Sequence, residues 1–195
     1  MVKKAIKRFI FFIAFILTLP LIIPTWIEAA LLGKYSERIY GFCKELLAVI
    51  PTFIGAYLRL AYYKSVCTRI DFDISMLTGS MIAHRDTIIR KGTIIGTYTI
   101  IGYADIGENT ICGARISVLS GKYQHGRPDE RGGEEEAKEE YTRIFIGANS
   151  WIGEGSIILA NIGTKCTIGA GSVLMKEAPD NTTFMGNPAR KVNIK

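Results

Sequence analysis

The sequence is poor in the residues that build metal and redox centres. It has two histidines, His84 and His125, and four cysteines, Cys43, Cys67, Cys112 and Cys166, with no C-x-x-C pair. That excludes a zinc ribbon, a thiol–disulfide redox pair and a dense disulfide framework. Free thiols fit a reducing compartment. No basic stripe interleaved with aromatics runs along the chain, which argues against nucleic acid as a partner. Prolines are few, six against 20 glycines in 195 residues, so tight corners are expected rather than a flexible linker. With 48% hydrophobic and 22% charged residues, the chain buries a core and is neither disordered nor collagen-like.

Charge is unevenly placed. Residues 127–140 (RPDERGGEEEAKEE) hold seven of the 18 acids and three of the 24 bases, leaving 21 bases against 11 acids elsewhere. A basic body of this kind suits anionic lipid or a phosphorylated co-substrate. The acidic run lacks the spacing of a calcium loop and reads as a solvated loop or a lid.

One long apolar run stands near the start. Residues 9–32 (FIFFIAFILTLPLIIPTWIEAALL) carry a single charge, Glu28, and are long enough to span a bilayer. Lys3, Lys4, Lys7 and Arg8 precede the run and place the N-terminus on the cytoplasmic side. It lacks the small-x-small site of a cleaved signal peptide. Pro20 and Pro24 are expected to break or kink the helix. A second run, Leu46 to Leu58, is short for a span, and extending it takes in Arg59, a candidate for snorkelling. The pair reads as a hairpin crossing twice or as kinked helices embedded in one leaflet; packing as a buried helical pair against a soluble domain is the alternative.

A six-residue repeat governs residues 70–175. Aliphatic pairs recur at Met76-Leu77, Ile82-Ala83, Ile88-Ile89, Ile94-Ile95 and Ile100-Ile101. One residue is then missing before Ile106-Gly107, Cys112-Gly113 and Val118. After a break the pattern returns at Ile146-Gly147, Ile152-Gly153 and Ile158, then after a shorter step at Ile162-Gly163, Ile168-Gly169 and Leu174. Neither a period of two nor one of 3.6 gives this spacing. A short strand and a tight corner do, with one aliphatic side chain inward on each face of a three-sided coil and the next position turning the corner, where glycine is favoured. Thr99, Thr110, Ser150, Ser156 and Ser172 fill the remaining positions.

The segments Ile146-Gly-Ala-Asn-Ser-Trp-Ile-Gly153, Ile168-Gly-Ala-Gly-Ser-Val173 and Gly186-Asn-Pro-Ala-Arg190 carry a resemblance to the hexapeptide-repeat acyltransferases over about residues 74–192. The resemblance implies a mainly β fold, a left-handed parallel β-helix, here preceded by a membrane-associated helical hairpin. The expected division is residues 1–65 for the membrane segment and 66–195 for the transferase, with an excursion loop at about 119–143. It also implies a homotrimer with active sites between subunits. In the family a loop leaves the helix at the place of this break and carries a histidine; the match is His125, although Gln124-His125-Gly126 stands where Gly-His-Pro is frequent. An imidazole titrating near neutrality suits removal of a hydroxyl proton during attack on a thioester. By the same resemblance Trp151 walls the thioester pocket, Gly153, Ala160, Gly169, Ala170 and Gly171 line the pantetheine of acetyl-CoA, and Lys176 and Arg190, with Lys191, meet its phosphates. Their other reading is packing against the loop for Trp151 and solvated charge for the cations. His84 occupies an outward corner and reads as a surface residue or a weaker contact to the acceptor. The γ-class carbonic anhydrases resemble the chain in repeat pattern, but two histidines cannot supply their three zinc ligands, so no metal is expected.

A cytosolic acyl donor and a cytoplasmic N-terminus put both ends of the membrane segment on one side, the cytoplasmic face (of the inner membrane if the source is bacterial). Anchoring favours a lipid-linked acceptor. The expected activity is O-acetylation of a membrane-linked saccharide or glycolipid; N-acetylation of an amino sugar is the near alternative, and a non-catalytic membrane-bound β-helix scaffold is the alternative of different class.

Overall fold

The computed structural model describes residues 2–33, 36–120 and 141–193. Three helices come first: α1 (Val2–Leu32), α2 (Arg38–Ala48) and α3 (Thr52–Val66). A parallel β-solenoid follows. Its first coil is β1 (Arg69–Ile70), β2 (Ser75–Met76) and β3 (Met81–Ile82). The second is β4 (Ile88–Ile89), β5 (Ile94–Ile95) and β6 (Ile100–Ile101), and the third β7 (Ala104–Ile106), β8 (Ile111–Cys112) and β9 (Ser117–Val118). Beyond residues 121–140 come β10 (Ile144–Ile146), β11 (Trp151–Ile152) and β12 (Ile157–Ile158), then β13 (Thr167–Ile168), β14 (Val173–Leu174), β15 (Thr183–Met185) and β16 (Arg190–Val192). Three faces result, in the orders β1-β4-β7-β10, β2-β5-β8-β11-β13-β15-β16 and β3-β6-β9-β12-β14.

The core is three stacked columns of buried side chains, such as Met76, Ile95, Cys112, Ile152, Ile168 and Phe184 on the second face. The register departs from the sequence expectation. In the second coil the inward residue is the second of each pair, Ile89, Ile95 and Ile101, while Ile94 and Ile100 face outward. The cause is one extra residue at the corner after Ile82, which shifts the phase until the short step to Ile106 restores it. Thr99, Thr110 and Ser150 are buried, and their hydroxyls donate to glycine carbonyls in the next coil: Thr99 to Gly113 (2.8 Å), Thr110 to Gly147 (3.1 Å) and Ser150 to Gly163 (2.9 Å). Each buried hydroxyl is thereby satisfied.

The helices cover the open edge of the first coil. Lys64 donates to the Ile70 carbonyl (3.1 Å), Arg59 to that of Met76 (3.2 Å) and the Tyr40 hydroxyl to that of Ile82 (2.8 Å), one donor for each face. Exposed strand edges invite pairing with other chains, and these donors occupy this one. At the far end β16 pairs antiparallel with β15. Arg59 does not snorkel. It is fully buried, and Nη1 also holds the Leu47 and Ile50 carbonyls at the end of α2 (2.8 and 2.9 Å). Nor do Pro20 and Pro24 break the first helix, which is continuous through both. Packing along α3 outweighs the two missing amide donors. Glu28, the lone charge of the apolar run, is buried and accepts the amides of Arg38 (2.8 Å) and Ile39 (3.0 Å), capping the first turn of α2.

Candidate active site

The corner between the third and first faces is the one from which the chain departs at Ser120 and to which it returns at Tyr141. The two stems are joined there, because the Thr142 amide donates to the Ser120 carbonyl (2.8 Å). The Ser120 hydroxyl also accepts the Tyr103 amide from the coil corner before it (3.0 Å). Below Tyr103 on the same corner stands His84. Its ring lies 4.4 Å from that of Tyr141 and 6.5 Å from that of Tyr103. Its Nδ1 is 3.4 Å from the Glu37 carboxylate, which stands just ahead of α2. Arg143 lies over the Tyr103 ring at 4.5 Å and donates to the Asp86 carbonyl (3.0 Å).

His84 is therefore not the free surface side chain its corner position suggested; only 21% of its side chain is exposed. The extra residue that shifts the repeat falls at this corner, between Ile82 and Ile89. The Glu37 carboxylate faces the Nδ1 side of the ring, so Nε2 is the nitrogen turned away from it. Glu37, Tyr103, Tyr141 and Arg143 were not among the residues that the sequence singled out. The run through Ala83, His84, Arg85, Asp86, Thr87 and Ile88, one longer than its neighbours, was the available signal for this corner. His125 and the rest of the expected loop 121–140 lie outside the described residues.

The residues expected along the acyl donor fall at three places. Gly153, Gly169, Ala170 and Gly171 stack at the corner between the second and third faces, where the Gly171 amide donates to the Glu154 carbonyl (2.8 Å). Ala160, buried, and Lys176, exposed, stand at the opposite edge of the third face. Trp151 is on the second face, 46% exposed, in a column of outward side chains with Ile94 and Ile111. Arg190 is exposed on β16. One chain does not bring these into a single pocket. Gly153 and Gly169 also have a purely structural reason. A Cβ on Gly153 meets the Ala170 amide nitrogen at 2.4 Å, and one on Gly169 meets Met185 Cγ at 2.7 Å. At Gly171, φ is +67° and the space is open, so there the backbone conformation selects glycine. The Gly186-Asn-Pro-Ala-Arg190 segment closes the last coil: the Val173 amide donates to the Gly186 carbonyl (3.0 Å), and the Ala189 amide to the Val173 carbonyl (2.9 Å).

No family model matches the chain. Serine acetyltransferase 3, mitochondrial, of Arabidopsis thaliana is 38% identical over 104 residues, which are 51% of this chain and 25% of that protein. The galactoside O-acetyltransferase of Lactococcus lactis is 41% identical over 56 residues, 26% of this chain and 27% of the relative. The chain thus matches about a quarter of the length of these curated relatives. Among solved structures, a maltose O-acetyltransferase from Clostridium difficile 630 superposes with a TM-score of 0.59, covering 80% of this chain and 85% of that one at 22% identity. That likeness is one of fold. In sequence and in fold the chain is similar to acetyltransferases built on the hexapeptide-repeat solenoid.

Proposed function

We propose that the protein is an acyl-CoA-dependent acetyltransferase that moves an acetyl group from acetyl-CoA to a hydroxyl of a membrane-linked saccharide. The observation that carries the reading is a solenoid similar to those of acetyltransferases, interrupted once, at a corner where a carboxylate-held histidine already stands. The attached excursion contributes His125 five residues beyond Ser120. His125 takes the acceptor proton as the hydroxyl oxygen attacks the thioester carbonyl; the carbon–sulfur bond then breaks, and the proton passes to the departing thiolate. His84 holds the acceptor through Nε2. Trp151, Gly153, Ala160, Gly169, Ala170 and Gly171 line the acyl donor, and Lys176 and Arg190 meet its phosphates. Because these residues fall on several faces of one chain, the reading completes each site between subunits of a homotrimer of left-handed solenoids. The outward column of Ile94, Ile111 and Trp151 supports such contact. The helices of residues 1–65 hold the enzyme on the cytoplasmic face of a membrane, near its acceptor.

The test is transfer from labelled acetyl-CoA into a membrane lipid extract. Wild-type protein is expected to label the saccharide-lipid fraction, and His125→Ala to do so about 10²- to 10⁴-fold more slowly. Equal labelling by both removes His125 as the base. Failure of wild type to bind CoA or to label any fraction rejects the transferase in favour of a scaffold.

A further inference from the structure

The first helix has its polarity inverted. The side chains it turns toward the protein include its polar ones: Thr18 and Thr25 are buried, Thr25 lies 3.0 Å from the Tyr62 hydroxyl, and Glu28 caps α2. The opposite stripe includes Phe9, Phe12, Leu17, Ile23, Trp26 and Ile27, between 47% and 66% exposed. From Phe9 to Leu32 no exposed position of this helix carries a polar side chain, over roughly 36 Å of helix. A soluble helix shows the reverse pattern. A protein partner ordinarily asks for a polar rim and hydrogen bonds; hydrocarbon asks for neither. Arg8, exposed, stands at the N-terminal end of the stripe, and Lys3 and Lys4 precede it in the sequence, a run of charge that attracts anionic headgroups.

Both ends of the helix are tied to the same end of the protein. Near its start, Lys7 pairs with Asp73 of the first coil (2.8 Å) and the ring of Phe11 meets that of Phe72 at 5.0 Å. Near its end, the Trp26 indole donates to the Ser65 carbonyl (3.0 Å) and Glu28 holds α2. A helix standing upright in a bilayer leaves the solenoid at one end only. This one lies across it, with α3 beneath.

We propose that α1 lies flat in a single leaflet, its apolar stripe at the boundary of headgroups and acyl chains, and that the described helices cross the bilayer nowhere. This deepens the membrane association proposed above and rests on it. Arrangements of this kind bury a helix about 5–10 Å into the leaflet. Crossing requires the contacts of Lys7, Phe11, Trp26 and Glu28 to come apart.

The experiment is a depth profile on the full chain bound to phosphatidylcholine–phosphatidylglycerol vesicles. Single tryptophans are placed by F9W, L17W or I27W in a W26F W151F background. Each is quenched by lipids brominated either near the headgroup or near the acyl terminus. Circular dichroism confirms that every variant keeps its strand signal. A flat helix gives equal loss of fluorescence at Phe9 and Ile27, which share one direction of the helix, and no deeper signal at Leu17, with the shallow label the stronger quencher at all three. A crossing helix gives maximal loss with the deep label at Leu17 and little at Phe9 and Ile27, which overturns the flat arrangement while preserving membrane association. No binding to vesicles, or self-association through this stripe without lipid, overturns both.

Discussion

Replacing Arg59 with methionine tests whether the helices are an integral cap on the solenoid or an appendage. The methionine stem fills most of the space of the arginine stem, so packing changes little. What disappears is the side-chain donor to the Ile50 and Met76 carbonyls and one of the donors to that of Leu47, which keeps the Ile50 amide (3.4 Å). Each of the two orphaned acceptors costs about 1–3 kcal/mol, the range for a buried polar group that loses its partner. Relief from burying a guanidinium returns part of that sum, and the expected net loss is about 3 kcal/mol. For a chain of this size a loss of 1 kcal/mol lowers Tm by about 2–4 °C, so a fall of roughly 6–12 °C is expected. Circular dichroism melts in mild detergent measure the fall, and hydrogen exchange locates it. The faster exchange should appear in α2 and the first coil, including the Gly79 amide that bonds to Ala48, and not in the last coils. A Tm within about 2 °C of wild type, or exchange that rises evenly along the solenoid, would falsify the capping role.

Three further perturbations separate packing from backbone conformation and probe the core. Gly153→Ala drives a Cβ against backbone and is expected to lose about 1–3 kcal/mol. Gly155→Ala, at φ +71° with open space around it, should lose only about 1 kcal/mol; chemical denaturation of both variants checks the order, and equal losses would show that the coils yield to the extra methyl. Cys112 lies in the core column of the second face, where burial pushes its thiol up to about 12. Iodoacetamide at mildly alkaline pH should leave it unmodified in folded protein and alkylate it on unfolding. Mass spectrometry of the digest reads this directly, and modification of the native state would mean that the second face opens.

Much of the solenoid was legible because its period is a covalent fact. Three strands and three corners repeat along the chain, and the residue that fills the axis must be aliphatic each time. The phase stays open only where the code is degenerate. In Ile88-Ile89, Ile94-Ile95 and Ile100-Ile101 both members suit the core, so one extra corner residue went unseen. Glycine at the corners was legible as a type, but its reason was not. At Gly153 the constraint comes from the backbone of the next coil, which the local sequence does not reveal. The candidate site was half legible. The break in the repeat marked where the chain leaves the solenoid, whereas the pairing of His84 with Glu37 joins a corner to a helical segment far away in sequence.

By itself, then, the sequence determined the period, the identity of the core-forming residues, the place of the interruption and the presence of a long apolar helix, since each depends on spacing or composition along the chain. The tertiary structure alone decided what those elements face. It turned Arg59 and Glu28 inward as caps, set a carboxylate against His84 and left the apolar stripe of α1 outward. Those outcomes depend on which backbone groups lack partners once the coils have closed, and the unmet carbonyls at the edge of the first coil exist only in the folded chain.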